Sequence, residues 1–201
     1  MSWRADYTAI LNAVPNGARV LDIGCSDGQL MQILQNEKGA IVRGMEISQD
    51  GVNACVAKGL SVIQGDADLD LGLFANDAFD MVVLSDTIQA TLKPKKILEE
   101  LKRIGKRAII SLPNFGHWSV RLNLLLNGTM PVTKDLPSTW YETANLHLCT
   151  IKDFCILARE SGFKIISITP VNGQKLGEPR QDCGGFINLL AQTAVFILER
   201  E

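Results

Sequence analysis

The segment that most restricts the possible folds is residues 19–35. Arg19-Val-Leu-Asp-Ile23 runs into Gly24-Cys-Ser-Asp-Gly28 and then into residues 29–35, which carry Leu30, Ile33 and Leu34 on one face. An aliphatic run, a glycine-bounded loop and an apolar stripe at helical spacing read as strand, tight turn and helix. The unit recurs. Residues 40–47 are strand-like, Ser48 can cap a helix carrying Val52, Cys55 and Val56, and Leu60-Ser-Val-Ile63 is strand-like again. Parallel strands need crossover connections of helical length, so this alternation predicts an α/β, Rossmann-like, doubly wound sheet. Phe79-Asp-Met-Val-Val-Leu84 fits a central strand buried on both faces.

The rest of the chain extends that pattern. Residues 2–13 place Trp3, Tyr7, Ile10 and Leu11 at helical spacing before the turn Pro15-Asn16-Gly17, which predicts a lid-like first helix. Residues 65–70 form an acidic turn. Residues 94–104 form a basic amphipathic helix with Ile97, Leu98, Leu101 and Ile104 as its apolar stripe and Lys93, Lys95, Lys96, Lys102 and Arg103 as a solvated face. Arg107-Ala-Ile-Ile-Ser-Leu112 is a strand stopped by Pro113. The rhythm then changes over residues 114–149, an insertion expected over the carboxyl edge of the sheet. Residues 115–126 of it read as a helix, and Met130-Pro131 and residues 136–141 as ordered loop. Thr150-Ile-Lys-Asp153 matches a capping box opening a helix that ends near Gly162. A strand over 163–169, a loop over 172–185 and a last strand over 194–198 complete the chain, whose 201 residues suit one domain.

Composition excludes several classes of function. The 20 Lys and Arg balance 22 Asp and Glu, for a formal charge of −2, and leave none of the basic excess that nucleic-acid backbones require. Arg4 and Asp6 stand where the apolar core of a secretory leader would lie, and Gly184, Gly185 and Asn188 interrupt the longest charge-free stretch, residues 183–198. Neither a leader nor a membrane span is expected, and the expected compartment is the cytoplasm. Five cysteines at positions 25, 55, 149, 155 and 183 include no C-x-x-C pair, which favours buried reduced thiols over disulfides or zinc.

Three chemistries compete for the glycine loop. A nucleophile elbow would make Ser26 the nucleophile, but such elbows follow several strands and this loop follows the first. A nicotinamide-dinucleotide loop needs a three-glycine spacing that is absent. The third is the Asp-x-Gly-x-Gly-x-Gly motif of S-adenosylmethionine-dependent methyltransferases. The chain resembles it at Asp22, Gly24 and Gly28, with Ser26 at the middle glycine. Glycines let backbone amides approach the ligand, and the following helix N-terminus favours its carboxylate. Glu46, ending the second strand, suits the ribose hydroxyls, and Asp66 after the third strand resembles the acceptor for the adenine amine. Taken singly, Glu46 is more often a surface charge and Asp66 more often a turn residue. Their order and spacing favour one crevice.

Three longer phrases narrow the resemblance: Leu84-Ser-Asp-Thr-Ile-Gln89, Pro113-Asn-Phe-Gly-His-Trp118 with Arg121, and Met130-Pro-Val-Thr133 through Trp140-Tyr141 to Asn145-Leu-His-Leu-Cys-Thr150. From about Val20 to Glu199 the chain resembles MetW, the methionine biosynthesis protein W family. The resemblance implies a class I methyltransferase fold, with a seven-stranded, mostly parallel sheet whose last strand is antiparallel. It implies a pocket for S-adenosylmethionine or S-adenosylhomocysteine built from Asp22, Gly24, Ser26, Gly28, Glu46, Asp66 and Ser85. It also implies work beside a homoserine O-acyltransferase, without itself implying any methyl transfer. An active small-molecule methyltransferase and a vestigial pocket are the alternatives. Asp86, where glutamine is expected, and Ser26 depart from the family pattern at the crevice. His117 and His147 are candidate general bases, or else pack with Trp118 and anchor the insertion respectively. Trp118, Arg121, Trp140 and Tyr141 are residue types of interface hot spots, and this face is expected to dock the acyltransferase.

Overall fold

The computed structural model describes residues 3–130, 132, 139–143 and 147–201. The expected loop positions Pro131 and Leu136 to Ser138, and the Asn145-Leu146 part of the third phrase, lie outside the described residues, as does Ser2.

The chain folds in the order α1 (Ala5–Ala13), β1 (Arg19–Ile23), α2 (Gln29–Lys38), β2 (Ile41–Glu46), α3 (Gln49–Ala57), β3 (Ser61–Gln64), α4 (Ala67–Asp70), β4 (Phe79–Ser85), α5 (Pro94–Ile104), β5 (Gly105–Pro113), α6 (Trp118–Asn127), α7 (Ile151–Glu160), β6 (Phe163–Asn172), β7 (Lys175–Leu176), α8 (Ile187–Leu190) and β8 (Thr193–Arg200). The sheet order is β3-β2-β1-β4-β5-β8-β6-β7. The first five strands in that order are mutually parallel, and β8 runs antiparallel to both β5 and β6. The expectation of seven strands is corrected to eight. The extra strand, β7, is two residues long and pairs with Val171 and Asn172 at the sheet edge, too short to leave a periodic signal.

Alternation along the strands sorts the core into two layers. Leu21, Ile23, Val82, Leu84 and Ile110 pack on one side with Ile97, Leu98 and Leu101 of α5 and Phe154 of α7. Val20, Val42, Met81, Val83 and Ile109 pack on the other side with Ile10 of α1, Leu30, Met31 and Leu34 of α2 and Cys55 of α3. Helices therefore cover both faces, and β4, between β1 and β5, is the buried strand its apolar run predicts. The capping box at Thr150 and Asp153 forms as the sequence predicts.

Departures from the sequence reading have local causes. Val56 of α3 is 61% exposed, so Cys55 is that helix's buried residue. Pro113 ends β5 inside the β8 ladder, opposite Thr193 and beyond the last β4 pair, Ser85 with Ser111, where a missing N–H is tolerated. In α6, Asn114 forms a turn that receives the Gly116 and His117 N–H groups on its side chain and carbonyl, so the helix begins three residues later than expected. Cys155 and Cys183 form a disulfide, which corrects the expectation of free thiols throughout. Packing brings their Cα atoms to 6.6 Å across 28 residues, a separation that carries no spacing signature. Cys25 and Cys55 are free and buried, and Cys149 is free and half-buried. Among the described residues, no helix is long and apolar enough to cross a membrane.

Candidate functional site

The loop after β1 is held by the strand beside it. The Gly24 and Cys25 N–H groups both donate to the Met45 carbonyl, at 2.8 and 3.2 Å. Gly24 has φ 74°, and a Cβ there would stand 2.5 Å from Thr87 Oγ1. Gly28, at φ 78°, is the N-cap of α2, and a Cβ there would collide with Leu60 and Cys55. These glycines are required by a left-handed backbone and by close packing against the protein itself. Ser26 takes the same left-handed region, at φ 51°, the conformation a glycine would adopt without cost at this middle position. Its N–H donates to Glu46 Oε2 at 2.7 Å, and the Ser48 N–H donates to Glu46 Oε1 at 2.9 Å. Glu46 thus clasps the loop from the end of β2. Gly51 permits this approach, since a Cβ there would lie 2.7 Å from Glu46 Cγ. Nothing in the sequence singled out Gly51.

Asp22 lies beneath this loop with 2% of its surface exposed. Its carboxylate makes no hydrogen bond or ion pair among the described residues. Burial, and secondarily the charge of Glu46, push its pKa up from 3.8 to about 7.

A cleft of about 440 Å³ opens at the carboxyl ends of β1 to β4, lined among others by Ile23, Gly24, Met45, Asp66, Thr87 and Thr91. Its walls are apolar with few polar groups, as small-molecule sites generally are. Asp66 Oδ1 accepts the Asp68 N–H at 2.8 Å and caps α4, so the residue is both turn-former and cleft wall. Asp68 in turn accepts from Leu92 and Lys93 N–H at 2.8 and 3.1 Å, tying down the segment that follows Thr91. Sequence reasoning found Gly24 and Asp66 but assigned no site role to Thr87, which lies within the quoted Leu84–Gln89 phrase, to Asp68 of the acidic turn, or to Thr91. Asp22, Ser26, Gly28, Glu46 and Ser85 are not among the lining residues.

Ser85 belongs instead to a polar cluster under α1. Its hydroxyl donates to Asp6 Oδ2 at 3.3 Å and lies 3.2 Å from Ser111 Oγ. Arg4 donates to both oxygens of Asp6 at 3.0 and 2.7 Å, pairs also with Asp86, and stands 4.7 Å from the centre of the Tyr7 ring. Asp86 is held at φ 52°, its N–H donating to the carbonyl and the hydroxyl of Ser111, both at 3.1 Å. The buried residues of α1 are Ala5, Asp6, Ala9 and Ile10. The apolar spacing of Tyr7, Ile10 and Leu11 gave no sign that Asp6 points inward.

Neither histidine lines the cleft. His117 is buried as the N-cap of α6, with Nδ1 2.7 Å from Ser119 Oγ and its ring centroid 5.7 Å from that of Trp118. His147 donates its N–H to the Gln89 carbonyl at 3.1 Å and lines a second cavity, of about 580 Å³, with Gln89, Cys149 and Phe154. His117 thus stands at a helix N-cap and His147 at the wall of the second cavity. Arg121 Nε donates to the Gly116 carbonyl at 2.6 Å, bracing the turn before α6.

The strand order, the antiparallel β8 and the glycine loop closing β1 define the fold of class I S-adenosylmethionine-dependent methyltransferases. Solved structures agree. Such a methyltransferase from Thermotoga maritima, described as a possible histamine N-methyltransferase, superposes with TM-score 0.70 at 18% identity, covering 98% of this chain and 88% of that one. One from Archaeoglobus fulgidus gives TM-score 0.69 at 18% identity, covering 98% and 92%. The model of the family described as methionine biosynthesis protein MetW matches residues 4–198, and the chain belongs to that family. It is 32% identical to the bifunctional methionine biosynthesis protein MetXA/MetW of Rhodopirellula baltica, over 98% of this chain and 33% of that protein. The chain thus spans about a third of that relative's length. It is 28% identical to an uncharacterized protein of Methanocaldococcus jannaschii, over 83% of this chain and 74% of that one.

Proposed function

We propose that this MetW protein binds S-adenosylmethionine or S-adenosylhomocysteine and supports homoserine O-acylation as the partner of a homoserine O-acyltransferase. The carrying observation is Asp22, a carboxylate buried to 2% exposure without a partner, beside a loop of left-handed residues at the head of a helix. An orphaned buried carboxylate is costly for the protein alone and suits a ligand that brings a cation. The apolar cleft with Asp66 at its wall suits the adenosine, and Glu46 fixes the loop that would meet the amino-acid end. When bound, S-adenosylmethionine supplies an electrophilic methyl group on a sulfonium. The protein's residues supply shape, orientation and charge. The same reading takes residues 1–201 as one methyltransferase-like domain acting in the cytoplasm, with 114–149 as an insertion.

The partner half of the proposal draws on the MetXA/MetW relative, whose name joins two activities in one chain. On this chain, α6 buries Val120 while Leu122, Leu124, Leu125 and Leu126 stay exposed, Leu125 at 80%, and Trp140 and Tyr141 are exposed nearby in sequence. Exposed apolar side chains gathered into a patch mark protein interaction sites.

Two experiments test the two halves. Calorimetric titration with S-adenosylmethionine and S-adenosylhomocysteine should show saturable binding that Glu46→Ala abolishes, and no heat from the folded wild type would refute the cofactor site. A pull-down with the acyltransferase should lose complex on Leu125→Glu with Trp140→Ala. Retention by the folded variant would refute the docking face. Radiolabelled methyl transfer to a metabolite extract, lost on Asp22→Ala, would favour the enzyme alternative.

A further inference from the structure

The cavity beside His147 is separate from the cleft at the strand ends. The two share no lining residue and are divided by one short segment, in which Thr87, Ala90 and Thr91 line the cleft while Ile88 and Gln89 line the second cavity. At about 580 Å³ this cavity falls within the range of small-molecule sites, roughly 300–1,000 Å³. Ile88 and Phe154, both buried, give it an apolar floor, and the half-buried Cys149 stands in its wall. His147 and Asp153 are exposed at its rim.

One polar atom of this lining is left over. Gln89 is 2% exposed, and its Nε2 donates to the Pro113 carbonyl at 3.1 Å and to Cys149 Sγ at 3.3 Å. The bond to Pro113 fixes the orientation of the amide, because the reverse would set one oxygen against another. Gln89 Oε1 then has no partner among the described residues. A buried acceptor of this kind carries a cost that an incoming donor removes. The rest of the lining argues against a charged guest. Neither Lys nor Arg lines the cavity among the described residues, so an anion finds no counter-ion there. The Asp153 carboxylate is committed through Oδ2 to the capping box at Thr150, and burial pushes the Cys149 thiol up, which keeps it neutral. An apolar floor with a single free carbonyl oxygen suits a neutral donor better than an ion of either sign.

We propose that this cavity is a second ligand site, which takes a small uncharged apolar molecule whose N–H or O–H group donates to Gln89 Oε1. Two probes of the same bicyclic shape test it. Indole carries an N–H donor, and benzofuran has a ring oxygen at that position. The rate at which iodoacetamide alkylates Cys149 in the full chain, followed by peptide mass analysis, reports occupancy of the cavity, with the buried Cys25 and Cys55 as internal controls. Indole should slow the reaction saturably and bind about fivefold more tightly than benzofuran. Gln89→Met keeps the length of the side chain, removes the acceptor, and should bring indole down to the affinity of benzofuran. Equal affinity of the two probes for the wild type, or protection by neither, overturns the proposal. So does a folded Gln89→Met protein that still prefers indole. Displacement of indole by S-adenosylmethionine would make the two cavities one site and overturn it as well. The comparison of the two probes on wild-type protein decides the matter alone if the variant does not fold.

Discussion

Glu46 Oε2 accepts the Ser26 N–H at 2.7 Å, and this bond fixes the glycine loop to the end of β2. The second oxygen accepts from Ser48 at the head of α3, so one carboxylate joins the first two strand-to-helix units. A glutamine there keeps one acceptor oxygen and presents an NH2 group to the other N–H. Glu46→Gln should therefore cost about 1–3 kcal/mol of stability, and Glu46→Ala at least as much, in urea denaturation of the ligand-free protein.

Asp22 trades stability for charge. Its pKa in the folded protein, about 7, lies above the ordinary 3.8, so the folded state holds the proton longer than the unfolded state does. Below pH 3.8 both states are protonated and the residue is neutral in effect. Between pH 3.8 and 7 folding becomes progressively less favourable, by an amount that levels off above pH 7 at roughly 4 kcal/mol. Asp22→Asn should consequently raise the Tm by several degrees at pH 8 and hardly at pH 4, while weakening S-adenosylmethionine binding at pH 8. An equal Tm shift at both values would disprove the assignment.

Gly24→Ala should be costly for two separable reasons. The left-handed φ of 74° penalises any Cβ, and the added Cβ meets the Thr87 side chain, whose hydroxyl donates to the Ser85 and Ile23 carbonyls. A loss of about 2 kcal/mol or more is expected. Adding Thr87→Ala should return the steric part and leave about 1 kcal/mol from the backbone, measurable as a double-mutant cycle in denaturant.

Asn114 anchors the start of residues 114–149. Its NH2 donates to the Asn188 and Ala191 carbonyls at 3.0 and 2.7 Å, and its Oδ1 accepts from Gly116 and Ile151 N–H at 2.9 and 3.2 Å, all in a buried site. Asn114→Ala strands four backbone groups. It should cost about 3 kcal/mol or more and speed hydrogen exchange at the Gly116 and Ile151 amides, while amides in β1 and β4 keep their protection.

The Cys155–Cys183 bond is open to direct counting. Thiol titration of the denatured, unreduced protein should find three free thiols, at Cys25, Cys55 and Cys149, and five after reduction. Five before reduction would restore the expectation of free thiols throughout.

What the sequence determined by itself was whatever rests on local periodicity or on backbone chemistry at fixed spacing. The Pro94–Ile104 helix, the capping box at Thr150 and Asp153 and the apolar run that forms β4 all belong here, because each is written in residues within a turn or two of one another. The long phrases from Leu84 onward likewise gave the family to which the chain belongs. Contacts between distant segments were decided only by the tertiary structure. Asp6 reads as one more surface charge of a first helix until packing turns it inward onto Ser85, and Arg4 has no partner at Asp86 until α1 lies across the end of β4. Cys155 and Cys183 meet for the same reason. Hydrophobic pattern specifies which face of an element is buried, but pairing between elements far apart in sequence depends on how the buried faces stack, and that is a property of the whole sheet.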